Sequence, residues 1–170
     1  MRKIVKVGFG GSCHWCTEAI FQSLIGVEKV EQGWIASAVP NDNFSEAVIV
    51  HFFPEEIELS ILINIHLHTH SCTELHSMRS KYRSAVYAFS EKQEQEIKNT
   101  LSHLQQEFEE RIITEVLAFK DFKRNQENYL NYYYSNPEKP FCKTYIKPKL
   151  IILLSEFKHV AQKIETKSKN

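Results

Sequence analysis

The stretch Gly10-Gly11-Ser12-Cys13-His14-Trp15-Cys16-Thr17-Glu18 decides how the chain is read. Upstream of it, Lys3 to Phe9 alternates, and Ile4, Val5 and Val7 supply β-branched bulk, so a strand runs into the glycines. Downstream, Trp15, Ala19, Ile20 and Leu24 recur at helical spacing, so a helix spans His14 to Leu24. Cys13 therefore sits where a strand ends and a helix begins. Unpaired amide hydrogens and the positive end of the helix dipole favour a thiolate there and lower the thiol pKa. The glycines let a substrate oxygen approach the backbone. Cys13 is a nucleophile candidate on these grounds.

Working outward, Val27 to Ala36 and Glu46 to Phe53 read as strands joined by the polar turn Pro40-Asn41-Asp42-Asn43. Pro54, with Glu55 and Glu56 in a first turn, starts a helix running to about Ile65. His66 to Lys81 reads as a loop, and Arg83 to Phe89 as a strand. Ser90 caps a charged helix reaching about Glu109, and Ile112 to Phe119 is another strand. Gln126 to Tyr134 forms a short helix, and Lys147 to Lys163 a last one with Pro148 near its start. Strands and helices mix without a regular βαβ rhythm, which makes the class α+β.

The 170 residues suit one domain, 1–170, able to bury a core without disulfide staples. Lys plus Arg and Asp plus Glu both count 21, so no long-range field draws nucleic acid or an anionic membrane. The basic end, Lys163 to Asn170, is too thin to change this and reads as a frayed tail. No apolar run is long enough to span a bilayer, and the N-terminal stretch has no signal-peptide core, so a cytoplasmic location is expected. In a reducing compartment the four cysteines are buried residues, metal ligands or catalysts rather than a disulfide framework.

Cys13 and Cys16 form a C-x-x-C pair whose side chains face each other across the first helical turn, so a disulfide between them is feasible. That pattern also suits a glutaredoxin-like thiol–disulfide oxidoreductase. Such a chain is usually shorter and needs a later proline beside the pair, for which Val39-Pro40 is the early candidate.

The residues from Ser12 to Glu18 resemble the Gly-Cys-Phe-Trp opening of the methionine sulfoxide reductase A family, with its glutamate shortly after. Further matches follow in order: Leu24 to Val27 through Gly33-Trp34, Glu46 to Val50 with Pro54, Lys81 to Tyr87, and Tyr129 to Cys142 with Pro137 and Pro140. The resemblance covers about 3–150. It implies a two-layer plait with a ferredoxin-like core, a C-terminal tail, and a helical extension over about 147–165. It also implies reduction of methionine-(S)-sulfoxide, free or peptide-bound, with no metal or organic cofactor. Cys13 would attack the sulfoxide sulfur and become a sulfenic acid. Glu46 would give a proton or hydrogen bond to the leaving oxygen. Tyr82 matches an oxygen-binding tyrosine, and Trp15 the apolar wall for the substrate methyl group. Cys142, in a Pro-flanked tail, or Cys16 would close a disulfide with Cys13, which thioredoxin reduces. A monomer is expected.

Three positions depart from the family pattern. His14 stands in place of the wall phenylalanine, Trp34 in place of a tyrosine, and Ser77 where an aspartate is usual. These departures suit a divergent member; a non-catalytic domain that keeps the scaffold is the alternative from a different class. His66, His68 and His70 alternate, with Cys72 and His76 following, and would share one face if the segment were extended. That spacing matches no zinc signature, and a polar active-site loop accounts for it equally well.

Overall fold

In a computed structural model that describes residues 2–161, six strands form one mixed sheet in the order β5-β4-β1-β3-β2-β6. Strand β1 (Val5–Gly10) lies centrally, antiparallel to β3 (Ser45–Phe52) and to β4 (Ala85–Ala88). Strand β2 (Val27–Ala36) pairs antiparallel with β3 and, on its other side, with β6 (Asp121–Arg124). Strand β5 (Glu115–Ala118) joins β4 in parallel. The chain is thus a single α+β domain.

Alternation sorts the side chains onto two faces. Val7 and Phe9 of β1, Val48 and Val50 of β3, and Val86 of β4 point into the main core. There they meet α1 (His14–Gln22) and α2 (Leu59–His68), including Phe21, Leu62 and Ile63. The opposite face carries a smaller cluster of Ile35, Ala47, Ile49, Ala85 and Tyr87, covered by Leu117, Phe119 and Phe122. Arg83 is buried on that side. Its guanidinium donates to the Tyr87 hydroxyl at 3.1 Å, Asn43 Oδ1 at 2.9 Å and the Ile35 carbonyl at 3.1 Å.

The helices differ from the pattern reading in instructive ways. Pro54 opens a tight turn rather than a helix, with the Ile57 N–H closing back on the Phe53 carbonyl at 3.0 Å. Ile57 turns into the core, and only after the extended Glu58 does α2 begin. That helix runs through His66 to His68, residues that loop composition assigned elsewhere. Helix α3 (Glu91–Leu104) starts as expected, with the Ser90 hydroxyl accepting the Gln93 N–H. Gln126 to Tyr134 is two pieces, a 3₁₀ turn over Glu127–Tyr129 and α4 (Tyr132–Ser135). They are separated by Asn131 in the left-handed region at φ 54°.

Strand β6 was not foreseen, because three exposed charged residues around a single half-buried Phe122 carry little periodic signal. A π-type turn over Cys142–Ile146 leads into α5 (Lys147–Glu156), with Pro148 in its first turn. The remainder of the expected C-terminal helix and the basic tail, 162–170, lie outside the described residues.

The β2–β6 contact leaves no room at Gly33. A Cβ there would fall inside the van der Waals radius of the Lys123 carbonyl oxygen and 2.9 Å from the Phe122 ring. Gly33→Ala is expected to lower unfolding free energy by about 1–3 kcal/mol, read as a urea midpoint shift with unchanged slope. A midpoint equal to wild type would mean that β6 does not pack against β2 this closely.

Candidate functional site

Cys13 is the residue at which α1 begins. Its carbonyl accepts the first helical amides, from Cys16 at 3.0 Å and Thr17 at 3.2 Å, and its own backbone is extended (φ −52°, ψ 131°). The half-buried thiol lines an open cavity of about 610 Å³ together with Gly11, Ser12, Cys16, Met78, Tyr82 and others. From β3, the buried Glu46 reaches the same helix start, its Oε1 accepting the His14 N–H at 3.2 Å. Cys13 thus stands between a cavity and a buried carboxyl group.

His14 is buried rather than free to form a substrate wall. Its Nδ1–H donates to the Gly33 carbonyl at 2.8 Å, which leaves Nε2 as the acceptor of the neutral ring. That nitrogen lies 3.4 Å from Glu46 Oε1 and 3.4 Å from the Asn125 amide nitrogen. Burial is the main cause that pushes the His14 pKa down. Glu46 Oε2 faces the Lys81 ammonium at 3.7 Å, and Lys81 also lies 5.1 Å from the centre of the Tyr82 ring. Trp34, directly across from Glu46 in the β2–β3 register, packs edge-on against His14 at 5.0 Å.

The two thiols behave as one unit. A hydrogen bond to Cys16, and then burial, raise the Cys13 pKa, whereas the same bond lowers that of Cys16. The two sulfurs, three residues apart at the start of α1, therefore titrate as a coupled pair.

Trp15 stacks face to face with Tyr132, centroids 4.0 Å apart and planes 4° apart, and meets Phe141 edge-on at 5.2 Å. The buried Glu18 explains why Tyr132 is there. Its carboxylate accepts the N–H groups of Asn131 at 2.9 Å and Tyr132 at 3.0 Å, which fixes the left-handed turn ahead of α4. Cys142 does not sit in a mobile tail. It is fully buried in the main core, where burial, and to a smaller extent the charge of Cys16, push its thiol pKa up.

Of the residues singled out from sequence, Cys13, Cys16 and Tyr82 line the cavity. Glu46, His14 and Trp34 back it from the sheet side, Trp15 faces Tyr132, and Ser77 is exposed beside the lining residues His76 and Met78. Sequence reasoning missed Lys149, Phe141 and Tyr145, all in the cavity wall. It also missed Arg79, whose guanidinium donates to the Gly11 carbonyl at 2.8 Å and the Tyr82 carbonyl at 2.9 Å. A lone basic residue within an apolar helical stripe was the available signal for Lys149.

The histidine-rich segment lines the cavity through His68, His70 and His76 and also braces the turn at Gly10. His66, in the last turn of α2, and His70, just past its end, stack at 4.1 Å, so they do not share an extended face with His68, which packs on Phe108. His66 Nε2 bonds the Gly10 carbonyl at 2.8 Å. His70 Nδ1 bonds the His66 carbonyl, and its Nε2 meets the Ser84 hydroxyl at 2.8 Å. Among the described residues no group of three His, Cys, Asp or Glu converges as a metal site.

A buried thiol pair at a helix start, beside a carboxyl group and open to a cavity, is the build of a thiol-dependent oxidoreductase. A family model for peptide methionine sulfoxide reductase matches residues 5–161. A peptide methionine sulfoxide reductase MsrA of Acinetobacter baumannii (strain SDF) is 31% identical over 166 residues, covering 89% of this chain and 95% of that protein. The fold is shared with reduced Mxr1 of Saccharomyces cerevisiae (TM-score 0.74, 21% identity, 84% of this chain and 91% of that one). It is also shared with Mxr1 in complex with Trx2 (TM-score 0.58, 17% identity, 74% and 83%). The chain belongs to the peptide methionine sulfoxide reductase family.

Burial holds His66 well below the usual histidine range, and His70 falls to about 3. Both are neutral in the fold. Their contribution is complete above the unfolded value of about 6.5 and is lost as pH falls below it, at up to about 1.4 kcal/mol per pH unit for each ring. The urea midpoint should therefore drop between pH 7 and pH 5, and His70→Gln should flatten that dependence. An unchanged slope in the variant would contradict the assignment.

Proposed function

We propose that the protein reduces methionine-(S)-sulfoxide, free or within peptides, to methionine, with Cys13 as nucleophile. The observation that carries this reading is the placement of Cys13 at the mouth of a cavity, with Glu46 bonded to the adjoining amide. Cys13 attacks the sulfoxide sulfur, and transfer of the oxygen atom leaves Cys13 as a sulfenic acid and releases the thioether. Glu46 and Tyr82, bridged by Lys81, form the polar side that receives the sulfoxide oxygen. Trp15, His14 and Trp34 act behind it. Trp15 keeps Tyr132 and Phe141 against the site, and His14 orients Glu46. Ser77 contributes at the rim. Cys142 or Cys16 then closes a disulfide with Cys13, and thioredoxin reduces it. The membership in the family and the Trx2-bound yeast relative support that partner.

We read the inner strands as a two-layer plait over the whole chain. The antiparallel order β4-β1-β3-β2, with α1 and α2 packed on one core, supports this. A monomer in the cytoplasm, binding neither nucleic acid nor membrane, fits the balanced charge and the four free thiols. Among the described residues no helix is long and apolar enough to cross a membrane.

The test is turnover of the two methionine sulfoxide epimers with a dithiol reductant. Wild type should consume the S-epimer, Cys13→Ser should lose all turnover, and Glu46→Gln should lower kcat/KM by about 10²-fold. Reduction of the R-epimer instead, or full activity in Cys13→Ser, would overturn the proposal.

A further inference from the structure

The C-terminal helical segment presents one buried stripe to α1. Cys142, Ile146, Leu150 and Leu153 recur along it at helical spacing, and all four are buried. Lys149 falls in the same stripe, a single cation among apolar residues. Its side chain lines the cavity that also holds Cys13 and Cys16. Burial lowers the pKa of its ammonium, and the charges of Cys16 first and Cys13 second oppose that. A half-buried cation in this stripe, facing a cavity shared with two sulfurs, needs a reason beyond packing, because an apolar residue would fill the position at lower desolvation cost.

We propose that Lys149 is a positioning residue of the reaction: its ammonium holds Cys16 as the thiolate that resolves the Cys13 sulfenic acid. This rests on the reductase reading above and names Cys16 as the thiol that closes the disulfide. Cys16 lies three residues from Cys13 across the first turn of α1, and both share their cavity with Lys149, whereas Cys142 does not line it. Cys142 is sealed in the core, and its thiol is pushed up by burial. Its own nearby cation is Lys139, which lies over Tyr132 at 4.1 Å and does not line the cavity. A resolving thiol must reach the sulfenic sulfur and ionise readily; Cys16 shares the cavity with Cys13, and the Lys149 charge favours its thiolate.

The steps balance. Thiol and sulfoxide become sulfenic acid and thioether, with one oxygen atom passing from methionine sulfur to Cys13 sulfur. The Cys16 sulfur then attacks the Cys13 sulfur. An S–S bond forms, the S–O bond breaks, and the departing hydroxide takes up a proton to leave as water. Two electrons from a dithiol reductant return the disulfide to thiols.

The charged and titratable groups facing Cys16 are Cys13 on its own helix, Lys149 on α5, Glu46 on β3 and Cys142. His66 on α2 and His70 just beyond it are held neutral chiefly by burial, with the Lys149 charge adding to it. Of these, Lys149 is the cation, and Glu46 acts against the thiolate.

The experiment is a rapid-quench single turnover of the intact protein with the S-epimer of N-acetylmethionine sulfoxide, without thioredoxin, between pH 5.5 and pH 9. Methionine, dimedone-trapped sulfenic acid and disulfide-linked peptides are read from the same samples by mass spectrometry. In Lys149→Met the resolving rate should shift its midpoint upward by about one pH unit or more and slow by about tenfold at neutral pH. Lys149→Arg should restore the wild-type profile, which a packing role would not require. The product should be the Cys13–Cys16 disulfide. Superimposable profiles for wild type and Lys149→Met, or a Cys13–Cys142 link as the first disulfide in wild type, would overturn the proposal. Absence of methionine from wild type would instead sink the reductase reading itself.

Discussion

The hydrogen bond from the His14 amide to the buried Glu46 carboxyl group ties the start of α1 to the centre of the sheet, and the site is organised around that junction. A helix start carries unpaired amides, and burying one without a partner costs about 1–3 kcal/mol. Glu46 meets that need and so sits beside Cys13. The carbonyls on the approach are held from other sides, Gly10 by His66 and Gly11 by Arg79. His70 lies against Gly11, whose φ of 154° and crowded surroundings exclude a side chain. A turn held at Gly10, Gly11 and His14 by a helix, a loop and a strand leaves the thiol little freedom. That preorganisation is what a transferred oxygen atom requires.

The second half of the site arrives from far along the chain. Glu18, on the buried face of α1, captures two amides of the Asn131–Tyr132 turn, and Tyr132 is thereby laid over Trp15. Helix α1 is consequently covered all round, by the sheet on one side and by α4 and α5 on the other. This explains why its buried residues occupy nearly every position. The cavity at Cys13 is the gap left where Phe141, Tyr145 and Lys149 meet the loop carrying Met78 and Tyr82.

Much of the sheet was legible because its strands are apolar and alternate, and β2 runs from Val27 to Ala36 as read. The strand–turn–helix unit around Cys13 was equally legible, since glycines and helical spacing act locally. What escaped was governed by distant contacts. Helix α2 begins late because Ile57 is needed in the core, and β6 exists because Gly33 lets it approach. The histidine segment read as a loop because its composition is polar, whereas α2 extends through His66 and His68, and His66 and His70 each bond a carbonyl. Lys149 escaped for the same reason. Its meaning depends on which sulfur atoms α5 is folded against, and nothing within ten residues of it says so.

The most direct test of the account follows the oxygen atom itself. Protein with Cys16 and Cys142 replaced by serine, to preserve the intermediate, would be mixed with the S-epimer of methionine sulfoxide carrying an ¹⁸O label. Mass spectrometry of the quenched protein would then locate the label. The account expects one labelled oxygen on Cys13 for each methionine released. Methionine formed with unlabelled Cys13, or label carried by another residue, would contradict it.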